Sequence, residues 1–246
     1  MNTLRNLSIA LTLMLSSFSA QAAVIDLYQW VFNVNGAIYE SGFYPVGSEP
    51  LPGSFSGTLD ASGFGFLSTE ITGAGDYSFV AMLDYEIDEI DNTFFNEYGS
   101  TGGTLAAGQT WEIDEPGWTF GDLYENTLDA TLDNSNNVPD GFNDDVSFAL
   151  GWDFTLTEGQ TATVDIFISE VLDTTGFYLA QNDAETGANY DELTTIFLWS
   201  DLLIAGEPSS TSDTNTSNIS VPEPPVIVLM GIGLLGLIAT RRRHMI

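Results

Sequence analysis

The sequence predicts an all-β body of the β-sandwich or jelly-roll kind, flanked by an N-terminal signal helix and a C-terminal transmembrane helix. Three observations predict the body. Apolar and polar side chains alternate with period two in several short runs, an Asn-Gly pair links two of them, and glycines punctuate the rest. A helical body would need an apolar stripe of period 3.6, and no such stripe runs longer than two turns.

In chain order, Trp30–Val34 leads through Asn35-Gly36 into Ala37–Tyr39. Asn and Gly both tolerate the positive φ that a two-residue type I′ turn demands, so this stretch reads as a hairpin. Tyr77–Asp88 reads as a strand, set off by breaks at Gly63, Gly65, Gly73 and Gly75; further breaks follow at Gly102, Gly103 and Gly108. Trp152, Phe154 and Leu156 alternate with Asp153, Thr155 and Thr157. Val164, Ile166 and Ile168 alternate with Asp165, Phe167 and Ser169. Both patterns bury one strand face. Thr194–Ile204 supplies the last strand, and no internal repeat stands out.

The ends are of another kind. Arg5 precedes an apolar core from Leu7 to Leu15, and Ala20-Gln21-Ala22-Ala23 follows. One positive charge, a short apolar core and an Ala-x-Ala site make a secretory signal peptide over 1–22, with cleavage after Ala22. At the other end Val221-Pro222-Glu223-Pro224-Pro225 leads into an apolar run, followed by Arg241, Arg242 and Arg243. Residues 226–240 are short for a bilayer of ~30 Å, but cations placed directly after an apolar run hold that end in the cytoplasm. The expected precursor is anchored in the inner membrane with its body outside. Between body and tail, residues 207–220 form a spacer rich in Ser, Thr and Asn. The expected organisation is therefore 1–22 signal peptide, 23–206 acidic β domain, 207–220 linker and 221–246 sorting tail.

Pro222-Glu223-Pro224 after Val221, with a short apolar helix and a basic stop at Arg241–Arg243, resembles the PEP-CTERM sorting signal. The resemblance implies delivery through the Sec translocon, cleavage near the motif by an exosortase, and transfer or release of the body to the cell surface or extracellular matrix. Proteins of this family typically occur in Gram-negative bacteria that make exopolysaccharide, which becomes an expected partner. The stretches Glu86–Glu89, Asn92–Gly99, Leu150–Leu156, Gly159–Thr163 and Gly176–Leu179 also resemble bodies of such proteins, without assigned chemistry.

Composition narrows the function further. The chain has 35 acidic residues against four Lys+Arg, a net charge of −31. The four cations are Arg5 and Arg241–Arg243, so residues 23–220 contain no Lys or Arg, and every acid but Glu223 lies there. No Lys–carboxylate or Arg–carboxylate pair can form within this body. Its carboxylates must be solvated, hydrogen-bonded or bound to metal ions. Nucleic-acid binding, which needs basic contacts to phosphate, is excluded. Cysteine is absent, and the single histidine is His244, so nucleophile–histidine catalysis and His/Cys zinc sites are excluded from the body.

Oxygen chemistry remains. Residues 129–145 are dense in Asp and Asn, and Asp129, Asp133, Asn137, Asp140, Asp144 and Asp145 are candidate calcium ligands. The spacing is not that of an EF-hand, and a cluster of Asx turns between strands is the competing reading. A second cluster is Asp84, Glu86, Asp88, Glu89 and Asp91, with a solvated strand face as its alternative. The pairs Glu86/Asp88 and Glu112/Asp114 are the candidates for carboxylate-pair glycoside hydrolysis. Trp111, Trp118 and Trp199 are candidates for stacking on sugars. The favoured expectation is a non-enzymatic structural or interaction protein. A calcium-dependent glycan-binding or adhesin-like module comes next, and a glycosidase last.

Overall fold

The computed structural model describes residues 24–42, 50–87, 94–117, 120–183 and 194–206. All belong to one compact unit ending at Ser209. The segments expected as signal peptide and linker, and the sorting tail, lie outside the described residues, and among the described residues no helix is long and apolar enough to cross a membrane.

The strands are β1 (Ile25–Val34), β2 (Ala37–Glu40), β3 (Phe55–Leu59), β4 (Gly65–Thr72), β5 (Gly75–Ile87), β6 (Glu97–Gly102), β7 (Gln109–Asp114), β8 (Ser147–Leu156), β9 (Thr161–Ser169), β10 (Tyr178–Asp183) and β11 (Thr194–Ala205). Among the described residues one α-helix, α1 (Leu123–Asp129), lies between β7 and β8, and a 3-10 turn, Phe94–Asn96, precedes β6. The strands form two sheets, ordered β2-β1-β5-β8-β7 and β3-β4-β9-β11-β10-β6. Every strand pair is antiparallel. The hairpin turns at Asn35 (φ 51) and Gly36 (φ 83), two positive values in succession as a type I′ turn requires.

Alternation decides what faces the shared core. Trp30 and Phe32 on β1, Phe79, Leu83 and Tyr85 on β5, and Phe148 and Leu150 on β8 pack with Leu67, Val164, Ile166, Ile168, Leu179, Ile196 and Leu198 of the other sheet. The Tyr85 hydroxyl is satisfied inside this core by donating to the Gly63 carbonyl at 2.7 Å. On the outer face of the six-stranded sheet, Phe66, Phe167, Trp199 and Tyr178 stand in register on neighbouring strands. Phe167 and Trp199 stack at 5.4 Å with planes 5° apart, a cross-strand ladder that stabilises the sheet.

The outer face of the five-stranded sheet is covered as well. A second apolar cluster joins Val31, Val80, Met82 and Ala149 to Leu123 of α1 and Leu132 beyond it. Asn33 ties α1 to β1: its Nδ2 donates to the carbonyls of Thr127 (3.0 Å) and Leu128 (2.8 Å). Residues 134–144 then run as a strap between the edge strands of the two sheets. Ile113 N donates to the Ser135 carbonyl (3.0 Å) and Asn137 N to the Ile113 carbonyl (2.9 Å) on β7. Gly99 N donates to the Val138 carbonyl (2.7 Å), and Asp144 N to the Glu97 carbonyl (3.0 Å), on β6.

Candidate functional site

The outer face of β5 carries Val80, Met82, Asp84 and Glu86 in succession, because alternate residues share a face. Across the five-stranded sheet, Gln29, Asp84, Ser147 and Asp114 align in register on β1, β5, β8 and β7. Segment 115–146 therefore covers a mixed surface, apolar around Met82 and acidic around Asp84. Asp84 is 1% exposed, Glu86 9%, Glu112 0% and Asp114 6%. For Asp84 and Glu86 this burial goes against the alternative reading of a solvated strand face. These side chains would be solvated on a bare sheet, but residues outside the strand pattern bury them.

Two groups of carboxylates come together here. Asp84, Glu86 and Asp145 offer oxygens within 4.8 Å of one another, as do Glu112, Asp114 and Asp122. The second group is held by donors of the chain itself. Glu112 accepts from Asn126 Nδ2 at 3.0 and 3.2 Å and from Asp133 N at 3.1 Å. Asp114 accepts from Glu115 N (2.8 Å), Asp122 N (3.3 Å) and Asn137 Nδ2 (3.2 Å). Burial nevertheless pushes Glu112 up to about 7 and raises Asp114, because the charged form loses water that these bonds replace only in part.

The first group joins β5 to the residue that precedes β8. Asp84 accepts the Ser147 hydroxyl at 2.7 Å, and burial pushes its carboxyl up to about 6. Glu97 on β6 is 0% exposed. Its Oε2 accepts from Gln181 Nε2, while its Oε1 is buried without a hydrogen-bond partner among the described residues. Burial raises Glu97 well above the usual carboxylate range, and Glu86, Asp145 and Asp183 add repulsion. Gln29, directly across from Asp84, is fully buried, and neither of its amide atoms has a hydrogen-bond partner among the described residues.

The six calcium candidates of residues 129–145 are dispersed by the fold. Asp133 closes an Asx turn, accepting Ser135 N on Oδ1 and Ser135 Oγ on Oδ2, both at 2.9 Å. Asn137 donates to Asp114. Asp144 accepts Asp145 N at 3.0 Å. Asp129 and Asp140 are exposed. Among the described residues only Asp145 of the six has its carboxylate grouped with other acids. Its companions Asp84 and Glu86 come from the second cluster of the sequence, whose Asp88, Glu89 and Asp91 lie outside the described residues. Glu97 and Gln29 were not singled out from sequence. A single acid or amide in a short strand carries no local sign that a neighbouring element will bury it.

As expected, Glu112 and Asp114 share one strand face, but under cover rather than in a cleft. Asp88 of the other expected pair lies outside the described residues. Trp199 is 7% exposed and held in the aromatic ladder, which leaves it no free face for a sugar, and Trp111 is half-buried and packs on Phe177 at 5.5 Å. Trp118 lies outside the described residues, as do the signal-site residues Ala20, Ala22 and Ala23.

No curated protein and no solved structure matches the chain. One family does match, outside the body: residues 220–243, which include Val221, Pro222, Glu223, Pro224 and Arg241–Arg243, match the PEP-CTERM protein-sorting motif. By its C-terminal segment, then, this is a chain that carries a PEP-CTERM sorting motif at residues 220–243.

Proposed function

We propose that this chain is an exported, non-enzymatic structural or interaction component of the cell envelope or exopolysaccharide matrix, sorted to the cell surface after exosortase cleavage near Pro222–Pro224. The single observation that carries the reading is the sorting motif at residues 220–243. It supports a membrane-anchored precursor, recognised by an exosortase and later displayed outside. The composition of the body agrees with that destination. It has no cysteine to oxidise, and its net negative charge favours solubility in a saline medium. A non-catalytic role is supported by the lack of histidine, cysteine and lysine in residues 23–220 and by the burial of Glu112 and Asp114. The grouping of Asp84, Glu86 and Asp145 favours a second reading, a calcium-dependent glycan-binding or adhesin-like module.

The test is fractionation of the native host carrying either the wild-type chain or a variant lacking residues 221–224. The wild-type body is expected at the cell surface or in the medium, and the variant in the membrane fraction at full length. The same distribution for both chains would overturn the sorting reading.

A further inference from the structure

We propose that Asn35 is a latent site of spontaneous deamidation, and that Asn33 guards it by holding the backbone N–H of Gly36. Asn35-Gly36 is the single Asn-Gly pair of the chain. Asparagine followed by glycine is the pair most prone to this reaction, because no Cβ on the glycine hinders its nitrogen. The Gly36 nitrogen loses its proton and attacks Asn35 Cγ. The new N–Cγ bond closes a succinimide ring, and the Cγ–Nδ2 bond breaks to release ammonia, which carries the proton away. Water then opens the ring at either carbonyl and leaves aspartate or isoaspartate. Asn35 is exposed, so water and hydroxide reach its carboxamide.

The folded chain withholds the attacking atom. Gly36 N donates to Asn33 Oδ1 at 2.8 Å. Asn33 is 1% exposed and is itself pinned, because its Nδ2 donates to the carbonyls of Thr127 (3.0 Å) and Leu128 (2.8 Å) in α1. The backbone is fixed as well. Asn35 N donates to the Ser78 carbonyl on β5 at 2.8 Å, and Asn35 and Gly36 hold the two positive φ values of a type I′ turn. To reach Cγ, Gly36 N must leave Asn33, and the Asn35 backbone must rotate out of the turn. Both steps need a local opening of the hairpin.

A second turn is built on the same plan. Asn134 also has a positive φ, 62°, and a small residue, Ser135, follows it. Ser135 N donates to Asp133 Oδ1 at 2.9 Å, and Asn134 Oδ1 accepts from Trp111 N at 3.1 Å. In both turns an Asp or Asn just upstream takes the N–H that would attack. Loss of the guard at Asn35 has a local and lasting effect. Aspartate adds a charge to a body without Lys or Arg, and isoaspartate lengthens the backbone within the two-residue turn that sets the β1–β2 register.

The test uses the full-length protein incubated in mildly alkaline buffer. A protease specific for Asp and Glu releases residues 27–40, and mass spectrometry of that peptide counts amide-to-acid conversion and assigns it to Asn35. Conversion in the folded wild type is expected to run at least about tenfold slower than in the chain unfolded in guanidinium chloride, since the hairpin must first open. Asn33→Ala removes the acceptor and is expected to speed conversion roughly fivefold, the factor that one ordinary hydrogen bond carries. Gly99→Ala, a destabilising change on the other sheet that leaves the turn intact, is expected to stay at the wild-type rate. Equal rates in the folded and unfolded wild type would overturn the proposal. So would a folded Asn33→Ala chain that converts no faster than wild type or than Gly99→Ala. If Asn33→Ala does not fold, hydrogen exchange in the wild type decides: the Gly36 N–H is expected to be protected, and exchange at the unfolded rate would remove the guard. Deamidation is read on purified protein and sorting in cells, so failure of one leaves the other standing.

Discussion

Replacing Glu112 by Gln tests whether burial beneath segment 115–146 governs the acids of the outer sheet face. Glu112 is fully buried, and burial moves its carboxyl from the ordinary 4.5 to about 7. The native state therefore holds a proton that the unfolded chain has already released between those values. With respect to this group, stability is complete below the unfolded value, falls as pH rises through the window, and is lowest above about 7. At 1.36 kcal/mol per unit, the loss across the window is about 3 kcal/mol, a large part of a typical net stability. Glutamine keeps the shape and carries no charge at any of these pH values. Urea unfolding of both chains in EDTA, at about pH 5 and about pH 8, reads the difference as a change in midpoint at constant slope. Asp84, Glu97, Asp114 and Glu115 are raised in the same direction, so the wild type should lose more than this one group accounts for. The variant should lose about 3 kcal/mol less than the wild type. Equal pH dependence in the two chains, or a wild type that gains stability toward pH 8, would refute the reasoning.

Other consequences follow from packing. A Cβ at Gly99 would sit 2.3 Å from Ile113 Cγ2, so Gly99→Ala should force β6 from Ile113 of β7 and cost about 1–3 kcal/mol in urea unfolding. Leu123→Ala removes the side chain through which α1 packs on Val31, Val80 and Met82; a loss of about 2–5 kcal/mol is expected, with most of the strand content retained by circular dichroism.

The parts of the fold that were legible in the sequence are those where one strand face meets the core and the other meets water. On β9, Val164, Ile166 and Ile168 are buried while Asp165, Phe167 and Ser169 are not, and the pattern shows it. The Asn35-Gly36 turn was legible because its backbone angles restrict the residue types. β5 is different. Its residues from Phe79 to Ile87 are buried on both faces, so Asp84 and Glu86 look in the sequence like the outer half of an amphipathic strand. Their burial comes from α1 and the strap. α1 has only seven residues and buries only Leu123 and Thr127, too little for a helical period to emerge. The Asp- and Asn-rich segment was visible as a feature, but its side chains serve mostly as turn and strap acceptors. Asp133 and Asp144 accept backbone N–H groups within two residues, a local use that composition cannot tell from ligation. Glu97 and Gln29 are buried through long-range pairing of strands, which no local pattern encodes.

The C-terminus of the mature protein tests the central claim most directly. Intact mass, with peptides from a Glu- or Asp-specific protease, reads it without trypsin, which finds no Lys or Arg to cut between residues 23 and 240. Sorting through the motif at residues 220–243 predicts a C-terminus close to Pro222–Pro225, with the apolar run and Arg241–Arg243 absent. A mature protein that still ends at Ile246 and stays in the membrane fraction would contradict it, leaving the tail as a permanent anchor.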